Sequence, residues 1–349
     1  MKTTIEDPIK KIISLGKVFI IAEIGVNHNG DLELAYQLID AACKAGAHAA
    51  KFQSFVVDEM ILPSTKTASY QAKNCGEENQ YQMLKRLELD FETQSKISSY
   101  CKKKGVYFFS SPFDKTSVDF LEKLDVPVFK IPSGEITNWP LLEYISQKNK
   151  PTILSTGMSS LEEIKKSVSF FQKSGKAPLY VLHCVSTYPT PLDEVNLLFI
   201  KTLMKELKVT VGFSDHTMST LLPAVATGLG AQIIEKHLTL DQALPGPDHH
   251  SSLNCEQFSQ MVSNIHEVVI ALGSPVKKIS EAEMATRKLV RKSLILNKKK
   301  KCGDKILLND LVEKRPGWGI SPMEKNRLLG KSLKRDLEKD HILMWDDVN

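Results

Sequence analysis

The sequence of 349 residues lacks the features that would place the protein in a membrane or outside the cell. No apolar run approaches the roughly 18–20 residues that a membrane span needs. Residues 1–17 contain neither a long apolar core nor a small-residue cleavage site, so no secretory signal is predicted. The six cysteines form no C-x-x-C pair, which favours reduced thiols. Together these absences predict a cytoplasmic protein without a membrane partner.

An excess of positive charge is also missing from most of the chain. Residues 281–349 hold 17 Lys and Arg against 11 Asp and Glu, whereas the remainder holds 29 against 30. The basic run Lys298–Lys301 has no interleaved aromatic residues, and no nucleic-acid-binding motif accompanies it. We interpret this run as a solvated turn and expect no nucleic-acid partner.

Short apolar runs alternate with amphipathic stretches up to about residue 275. Such runs are typical of buried parallel strands, and there are eight: Phe19–Gly25, His48–Gln53, Val106–Phe113, Val128–Ser133, Thr152–Gly157, Leu179–Ser186, Thr210–His216 and Gln232–Leu240. Eight β/α units predict a (β/α)8 TIM barrel, whose usual size is about 250 residues. A doubly wound open sheet is the alternative, but the Gly25–Gly30 turn lacks its glycine spacing.

Two segments depart from this alternation. Residues 54–80 form a polar insertion after the second strand, where barrel active sites form. From about residue 285, short apolar runs and the turn-rich segment Arg315–Pro322 replace the β/α pattern. We therefore predict a barrel over residues 1–275, a linker over 276–287 and a small β-rich domain over 288–349.

The predicted strands all end in residues that suit catalysis rather than a core. In chain order these residues are Glu23, Lys51, Gln53, Ser111, Phe113, Lys130, Ser133, Glu135, Ser155, Ser186, Tyr188, Ser214, His216, Glu235 and His237. Buried charges are costly unless they are paired or bind a ligand, and barrel enzymes place their sites at these ends. The set therefore predicts an active site.

The residue types at these ends indicate what the site binds. The two lysines and several serines suit a phosphate and a carboxylate, because they supply charge and directional hydrogen bonds. His216 and His237 lie on neighbouring predicted strands and are candidate ligands of one metal ion. Three other histidines are additional or rival ligands: His28, His249 and His250. The sequence has no H-x-H or H-E-x-x-H motif, which argues against common barrel hydrolases and zinc peptidases.

These residues lie in motifs that resemble the sialic acid synthase family over nearly the whole chain. The matching segments are Ile21–Gly30, Lys51–Gln53, Ser111–Phe113, Lys130–Glu135, Leu154–Met158, Leu182–Cys184, Tyr188–Pro189, Gly212–His216, Glu235–His237, Gly246–His249 and Lys314–Gly317. The resemblance implies a TIM barrel followed by an antifreeze-like (SAF) domain.

The resemblance also implies roles for these residues. Phosphoenolpyruvate would bind to Lys51, Lys130, Ser133, Ser155, Ser186 and Ser214. An N-acetylated amino sugar would face Glu23, Glu135, Tyr188, Asp248 and Arg315. His216 and His237 would hold a divalent metal, which in the family is usually Mn²⁺, with Mg²⁺ or Co²⁺ as alternatives. Family members form domain-swapped homodimers, so Arg315 would act on the partner's barrel.

The reaction implied is condensation of phosphoenolpyruvate with N-acetylmannosamine, which gives N-acetylneuraminate and phosphate for a cell-surface glycan. Glu23 or Glu135 would manage the proton transfers. Ser186-Thr-Tyr-Pro189 departs from the Asn-Glu-Tyr-Pro of many sialate-forming bacterial relatives. The alternative acceptor is therefore 2,4-diacetamido-2,4,6-trideoxymannose, which gives N,N'-diacetyllegionaminate or a pseudaminate precursor.

The sequence leaves open two alternative functions from other classes of protein. A Schiff-base aldolase would use Lys51 or Lys130 as nucleophile and would need no metal. A non-catalytic carbohydrate-binding protein would not need the strand-end carboxylates.

Overall fold

The computed structural model describes residues 7–67 and 79–349, and these residues divide into two compact units. The first unit extends to Gly273 and the second runs from Ser274 to Asn349. The division falls close to the predicted end of the barrel at residue 275. The predicted insertion 54–80 is described only in part, because residues 68–78 lie outside the described ranges.

The first unit is built on eight parallel strands. Their bounds are β1 Phe19–Gly25, β2 Ala49–Ser54, β3 Tyr107–Pro112, β4 Phe129–Ile131, β5 Thr152–Ser155, β6 Leu179–Cys184, β7 Thr210–Asp215 and β8 Ile233–His237. The hydrogen-bonded order is β3-β2-β1-β8-β7-β6-β5-β4, so the first strand pairs with the last. Strands β3 and β4 also contact each other, and the sheet nearly closes. This arrangement is consistent with the predicted TIM barrel and not with the doubly wound alternative.

Helices of the first unit connect these strands. Their bounds are α1 Pro8–Ser14, α2 Leu32–Lys44, α3 Val57–Met60, α4 Gln80–Leu87, α5 Phe91–Lys104, α6 Lys115–Lys123, α7 Trp139–Ser146, α8 Leu161–Ser174, α9 Phe199–Leu207, α10 Leu222–Gly228 and α11 Cys255–Leu272. The predicted capping box of Ser160 and Glu163 begins α8, with both reciprocal hydrogen bonds present. The predicted stripe through Phe258, Met261 and Ile265 is buried on α11.

Several strands end earlier than the apolar runs predicted. Strand β4 stops at Ile131, and Ser133 lies instead on a 3₁₀ turn over Ser133–Glu135. Pro132 interrupts the run, because proline has no N–H to donate to the ladder. Ser133 and Glu135 therefore lie on a turn after β4 and not on the strand.

The second unit contains helix α12 Glu281–Val290 and an antiparallel pair formed by β9 Ser293–Leu296 and β10 Leu311–Lys314, followed by the short helix α13 Lys325–Leu328. Its own apolar core includes Leu294, Leu296, Ile306 and Leu343. The predicted linker 276–287 contains the first residues of α12. Across residues 7–67 and 79–349, no helix is long and apolar enough to cross a membrane.

Candidate active site

A cavity of about 450 Å³ opens at the carboxyl ends of the barrel strands. Most of the predicted site residues line it: Glu23, Lys51, Gln53, Ser111, Phe113, Lys130, Ser133, Ser155, Ser186, Tyr188, Ser214, His216, His237 and Asp248. Its size is that of a small-molecule site. The resemblance therefore predicted which side chains converge here, although they come from separate strands.

A larger groove of about 990 Å³ lies beside it, lined by His183, Phe199 and Val225 among others. Its described lining contains no lysine, arginine or carboxylate. A phosphorylated substrate needs compensating charge, so the smaller cavity is the candidate active site.

The floor of the cavity begins with Lys51, which β2 places beside the ends of β1 and β3. Its ammonium lies 2.6 Å from the Glu23 carboxylate and donates to Ser111 Oγ at 3.2 Å. Burial alone would lower the pKa of Lys51, but Glu23 and Glu235 outweigh burial and raise it. Lys51 is therefore a fixed positive charge at the strand ends.

Lys130 supplies the second ammonium of the floor from β4. It donates to Ser155 Oγ at 2.7 Å and lies 3.7 Å from the Glu235 carboxylate. Glu235 also lies 3.7 Å from Lys51 and accepts a hydrogen bond of 2.8 Å from Ser214. Burial would raise the pKa of Glu235, but Lys130 and Lys51 outweigh it and lower this pKa to about 2. Glu235 is therefore an anion shared by two buried lysines.

The serine hydroxyls follow the curve of the barrel from β4 to β6. Ser133 Oγ accepts from the backbone N–H of Gly157 at 2.9 Å. A Cβ atom on Gly157 would overlap Ser186 Oγ and lie 2.9 Å from Ser133 Oγ. The missing side chain therefore lets these hydroxyls approach each other, as a phosphate-binding cradle requires.

His216 and His237 lie at the ends of β7 and β8 with their ring centroids 5.6 Å apart. Nδ1 of His216 lies 2.6 Å from the carbonyl oxygen of Val185, while the buried Nδ1 of His237 has no hydrogen-bond partner among the described residues. Burial holds the pKa of His237 well below its usual value, so this imidazole is neutral. A neutral ring with an unused nitrogen is what a metal ligand requires.

No group of three or more His, Cys, Asp or Glu side chains within the described ranges is arranged to hold a metal ion. A metal at the histidine pair would take its other ligands from substrate or water. The rival candidates are placed differently, because His249 Nδ1 bonds to Thr239 Oγ1 at 2.7 Å and His28 Nδ1 accepts from Gly30 N at 3.0 Å. Neither of these histidines lines the cavity, and nor does His250.

Two neighbours complete this side of the cavity. The Tyr188 ring packs against His216 at an interplanar angle of 31°, with centroids 4.1 Å apart. Asp248 comes from the loop after β8, and burial raises the pKa of its carboxyl to about 6. Cys184, for which we predicted no role, lies 3.8 Å from His216 Nδ1.

Two predicted residues do not line the cavity. Glu135 follows on the 3₁₀ turn and accepts a hydrogen bond of 2.7 Å from the Asn138 amide. Burial raises the pKa of Glu135. Arg315 belongs to the second unit, outside the barrel.

One wall of the cavity was not predicted from the sequence. Helix α4 contributes Gln80, Met83, Leu84 and Leu87 to the lining. Their i, i+3, i+4, i+7 spacing, after the helix-capping residue Asn79, is the signal that would have found this helix. Glu235 stood among the strand-end residues, but no role was predicted for it.

The nearly closed parallel sheet, the paired lysines and the serine cradle suit a barrel enzyme for a small phosphorylated substrate. Residues 38–277 match the NeuB family. The chain is 43% identical to the N,N'-diacetyllegionaminic acid synthase of Legionella pneumophila, across 95% of this chain and 94% of the relative. It is 42% identical to the enzyme of the same name from Campylobacter jejuni, across 94% of this chain and 99% of the relative.

More distant relatives include the human N-acetylneuraminate-9-phosphate synthase, 32% identical across 95% of this chain and 92% of that protein. Among solved structures, the N-acetylneuraminic acid synthetase of Leptospira borgpetersenii superposes with a TM-score of 0.69 at 34% identity, covering 77% of this chain and 90% of that one. The spore coat polysaccharide biosynthesis protein spsE of Bacillus subtilis superposes with a TM-score of 0.64 at 31% identity, and the match covers 95% of both chains.

The chain belongs to the NeuB family. It is an enzyme of the phosphoenolpyruvate-dependent nonulosonic acid synthase class, as the resemblance predicted.

Proposed function

We propose that this enzyme condenses phosphoenolpyruvate with 2,4-diacetamido-2,4,6-trideoxymannose to give N,N'-diacetyllegionaminate and phosphate. The order of identities supports this acceptor: 43% and 42% to two diacetyllegionaminic acid synthases, against 35% to a pseudaminic acid synthase and 32% to an N-acetylneuraminate-9-phosphate synthase. N-acetylmannosamine, our first expectation, is the less well supported acceptor.

The buried charged residues at the floor of the cavity, which we call the charged floor, support phosphoenolpyruvate as the first substrate. Lys51 and Lys130 are buried and held in place by Glu23, Glu235, Ser111 and Ser155. Because their charges are already oriented, little reorganisation is needed when the phosphate and the carboxylate enter. The serines near Gly157 would bind the remaining phosphate oxygens.

The reaction then follows from bringing the two substrates together. The methylene carbon of phosphoenolpyruvate attacks the aldehyde carbon of the open-chain sugar, and a carbon–carbon bond forms. The aldehyde oxygen takes up a proton and becomes a hydroxyl. Water adds to the cationic C2 carbon and loses a proton, which leaves a hydroxyl and the phosphate on C2. The hydroxyl oxygen then forms the ketone C=O as the C2–O bond to phosphate breaks, and its proton passes to the departing phosphate. Glu135 or Glu23 would transfer these protons, because burial raises the pKa of each carboxyl toward the working range.

The histidine pair fits a divalent metal, for which Mn²⁺ is our proposal. His216 and His237 would be its two protein ligands, supported by the unpartnered, neutral His237 ring. When bound, such an ion supplies Lewis-acid polarisation of the sugar aldehyde.

Two further assignments rest on the family resemblance. The second unit would be an antifreeze-like domain in a domain-swapped, cytoplasmic homodimer, and Arg315 would reach the partner's sugar. Mixing inactive Arg315→Ala subunits with inactive His216→Ala subunits tests this. Recovered activity in the mixture is expected, because one site of the mixed dimer then holds both native residues.

The function is tested by measuring phosphate release from phosphoenolpyruvate with Mn²⁺ and each of the two sugars. We expect a higher kcat/KM with the diacetamido sugar. A preference for N-acetylmannosamine would overturn the proposed acceptor and leave the reaction class intact.

A further inference from the structure

The lining of the active-site cavity has two chemically different parts. One part carries the lysines, serines and histidines described above. Another part is apolar and includes Val26, Met60, Met83, Leu84, Leu87 and Phe113, which belong to one packed cluster. We call these six residues the apolar wall. A site that bound only phosphoenolpyruvate would not need such a wall.

Helix α4 supplies the centre of the apolar wall. The Asn79 side chain caps its first turn by accepting from Gln82 N, and the helical repeat then turns one face to the cavity. On that face Met83, Leu84 and Leu87 are 0%, 6% and 2% exposed. Their side chains are therefore fixed before any ligand arrives.

A small apolar cluster supports the wall from behind. Phe55 and Val57, which follow β2, pack with Val26 and the α4 residues, apart from the main barrel core. The Phe55 and Phe113 rings meet edge to face at 6.1 Å. Close packing of this kind gives a preformed surface with little freedom to supply new hydrogen bonds.

The position of the wall determines which part of a substrate it meets. The phosphate and carboxylate of phosphoenolpyruvate need the lysines, so the new carbon–carbon bond forms on the charged side. The far end of the acceptor chain then meets the part of the lining that the charged groups leave free, which includes the apolar wall. A hydroxyl group buried there would lose its water without gaining a partner, whereas a methyl group gains free energy from burial.

We propose that the apolar wall selects acceptor sugars whose C6 is a methyl group rather than a hydroxymethyl group. This inference rests on the proposed function, because 2,4-diacetamido-2,4,6-trideoxymannose has this methyl and N-acetylmannosamine does not. Gln80, on the same face of α4, places one amide beside the wall, where it suits a hydrogen bond to the 4-acetamido group.

The chain offers a matched pair of variants for the test. Met60 and Ile61 are neighbours, both are partly buried, and both pack against the supporting cluster, but only Met60 lines the cavity. Met60→Gln and the control Ile61→Gln thus add the same amide to the same region. Met60→Leu keeps the site apolar and serves as the conservative variant.

Each protein is assayed with three acceptors: the diacetamido sugar, N-acetylmannosamine and 6-deoxy-N-acetylmannosamine. The wild-type enzyme should prefer the 6-deoxy compound to N-acetylmannosamine about tenfold in kcat/KM, a usual range for one small group in an apolar site. Met60→Gln should reduce this ratio severalfold with KM for phosphoenolpyruvate unchanged. Ile61→Gln and Met60→Leu should keep it.

The outcomes separate the two proposals. Equal use of N-acetylmannosamine and its 6-deoxy form by the wild-type enzyme would overturn the proposed role of the apolar wall. That comparison needs no variant. An unchanged ratio in Met60→Gln also overturns this role, even if the diacetamido sugar remains the best acceptor. A Met60-dependent preference for the 6-deoxy compound, without turnover of the diacetamido sugar, supports the wall and overturns the proposed function.

Discussion

The ammonium of Lys130 lies 3.7 Å from the carboxylate of Glu235, and both side chains are almost completely buried. Burial lowers the pKa of Lys130, and Glu235 is the strongest influence that opposes this lowering. Glu235 thus keeps a buried lysine charged as well as in place.

The Glu235→Gln variant should therefore bind phosphoenolpyruvate poorly. Without the carboxylate, the pKa of Lys130 falls further, and we expect KM to rise about tenfold for each pH unit by which the assay pH exceeds that pKa. The KM should recover as the pH is lowered, because Lys130 then regains its proton. Steady-state kinetics across pH provide the measurement.

Ser214→Ala is the control for this experiment, because it removes a hydrogen bond to Glu235 and keeps the charge. Its KM should depend on pH as in the wild-type enzyme. A pH-independent defect in Glu235→Gln would mean that Glu235 acts only through packing.

Gly157→Ala should weaken binding of phosphoenolpyruvate. The added methyl overlaps Ser186 Oγ and crowds Ser133 Oγ, so both hydroxyls must move out of the cradle. We expect KM to rise at least about tenfold, the effect of roughly one lost hydrogen bond. In Gly228→Ala, at the end of α10 and outside the cavity lining, the new Cβ meets only Val268 at 3.9 Å, and KM should stay unchanged.

The pH dependence of kcat/KM should reflect the ionisation of the Glu135 carboxyl. Burial raises the pKa of its carboxyl, and a base must be deprotonated to act, so activity should fall as the pH drops through that raised pKa. The acid limb of kcat/KM should then lie above about 4.3, the ordinary value for glutamate. Near-normal turnover by Glu135→Gln would instead assign the proton transfers to Glu23.

A substitution at Asn138 should shift the acid limb of the kcat/KM profile in a predictable direction. The Asn138 amide donates to Glu135 and lowers its pKa, while the Asn138 side-chain oxygen caps helix α7. Asn138→Ser retains a capping oxygen but loses the amide donor. Its acid limb should therefore shift to higher pH, with thermal stability near that of the wild-type enzyme.

Removal of the metal should abolish turnover. The enzyme treated with chelator, and shown to be free of metal by elemental analysis, should release no phosphate until Mn²⁺ is restored. His237→Ala should lose Mn²⁺ binding in calorimetry, whereas His266→Ala, altered at an exposed position on α11, should retain it. Full activity without metal would refute the role of the histidine pair.

A second buried ion pair should matter for stability rather than for binding. Lys236 lies 2.6 Å from Asp215, and neither side chain is exposed. These residues alternate with His216 and His237 along β7 and β8, so they tie the same strand ends from the helix side. Lys236→Met should lower the free energy of unfolding by about 3–5 kcal/mol, because Asp215 is left buried and unpaired. The same change at the exposed Lys96 should hardly affect the unfolding midpoint in a denaturant titration.

Much of this arrangement could be predicted from the sequence. The eight buried strands are continuous apolar runs, and their hydrophobicity locates them within three residues of their observed bounds. The strand-end side chains converge because all parallel strands of a barrel direct their carboxyl ends to one face. The fold alone therefore brought Lys51, Lys130 and His237 together.

The remaining features depend on contacts that a single sequence does not encode locally. Glu235 looked like any strand-end carboxylate until its distances to two lysines were known. Helix α4 was hidden in a polar segment, because its four cavity residues are separated by charged and polar ones. The turn that takes Glu135 out of the cavity lining follows from Pro132, whose effect on the length of β4 was overlooked.

Helix α4 is an addition to the connection between β2 and β3, and the eight-fold repeat does not depend on it. Mutations on its inner face can therefore accumulate without disturbing strand pairing or the charged floor. If the apolar wall selects the acceptor as proposed, part of that choice lies on a segment separate from the charged floor. An engineer who wishes to change the nine-carbon sugar produced should exchange residues 55–90 and leave the barrel alone.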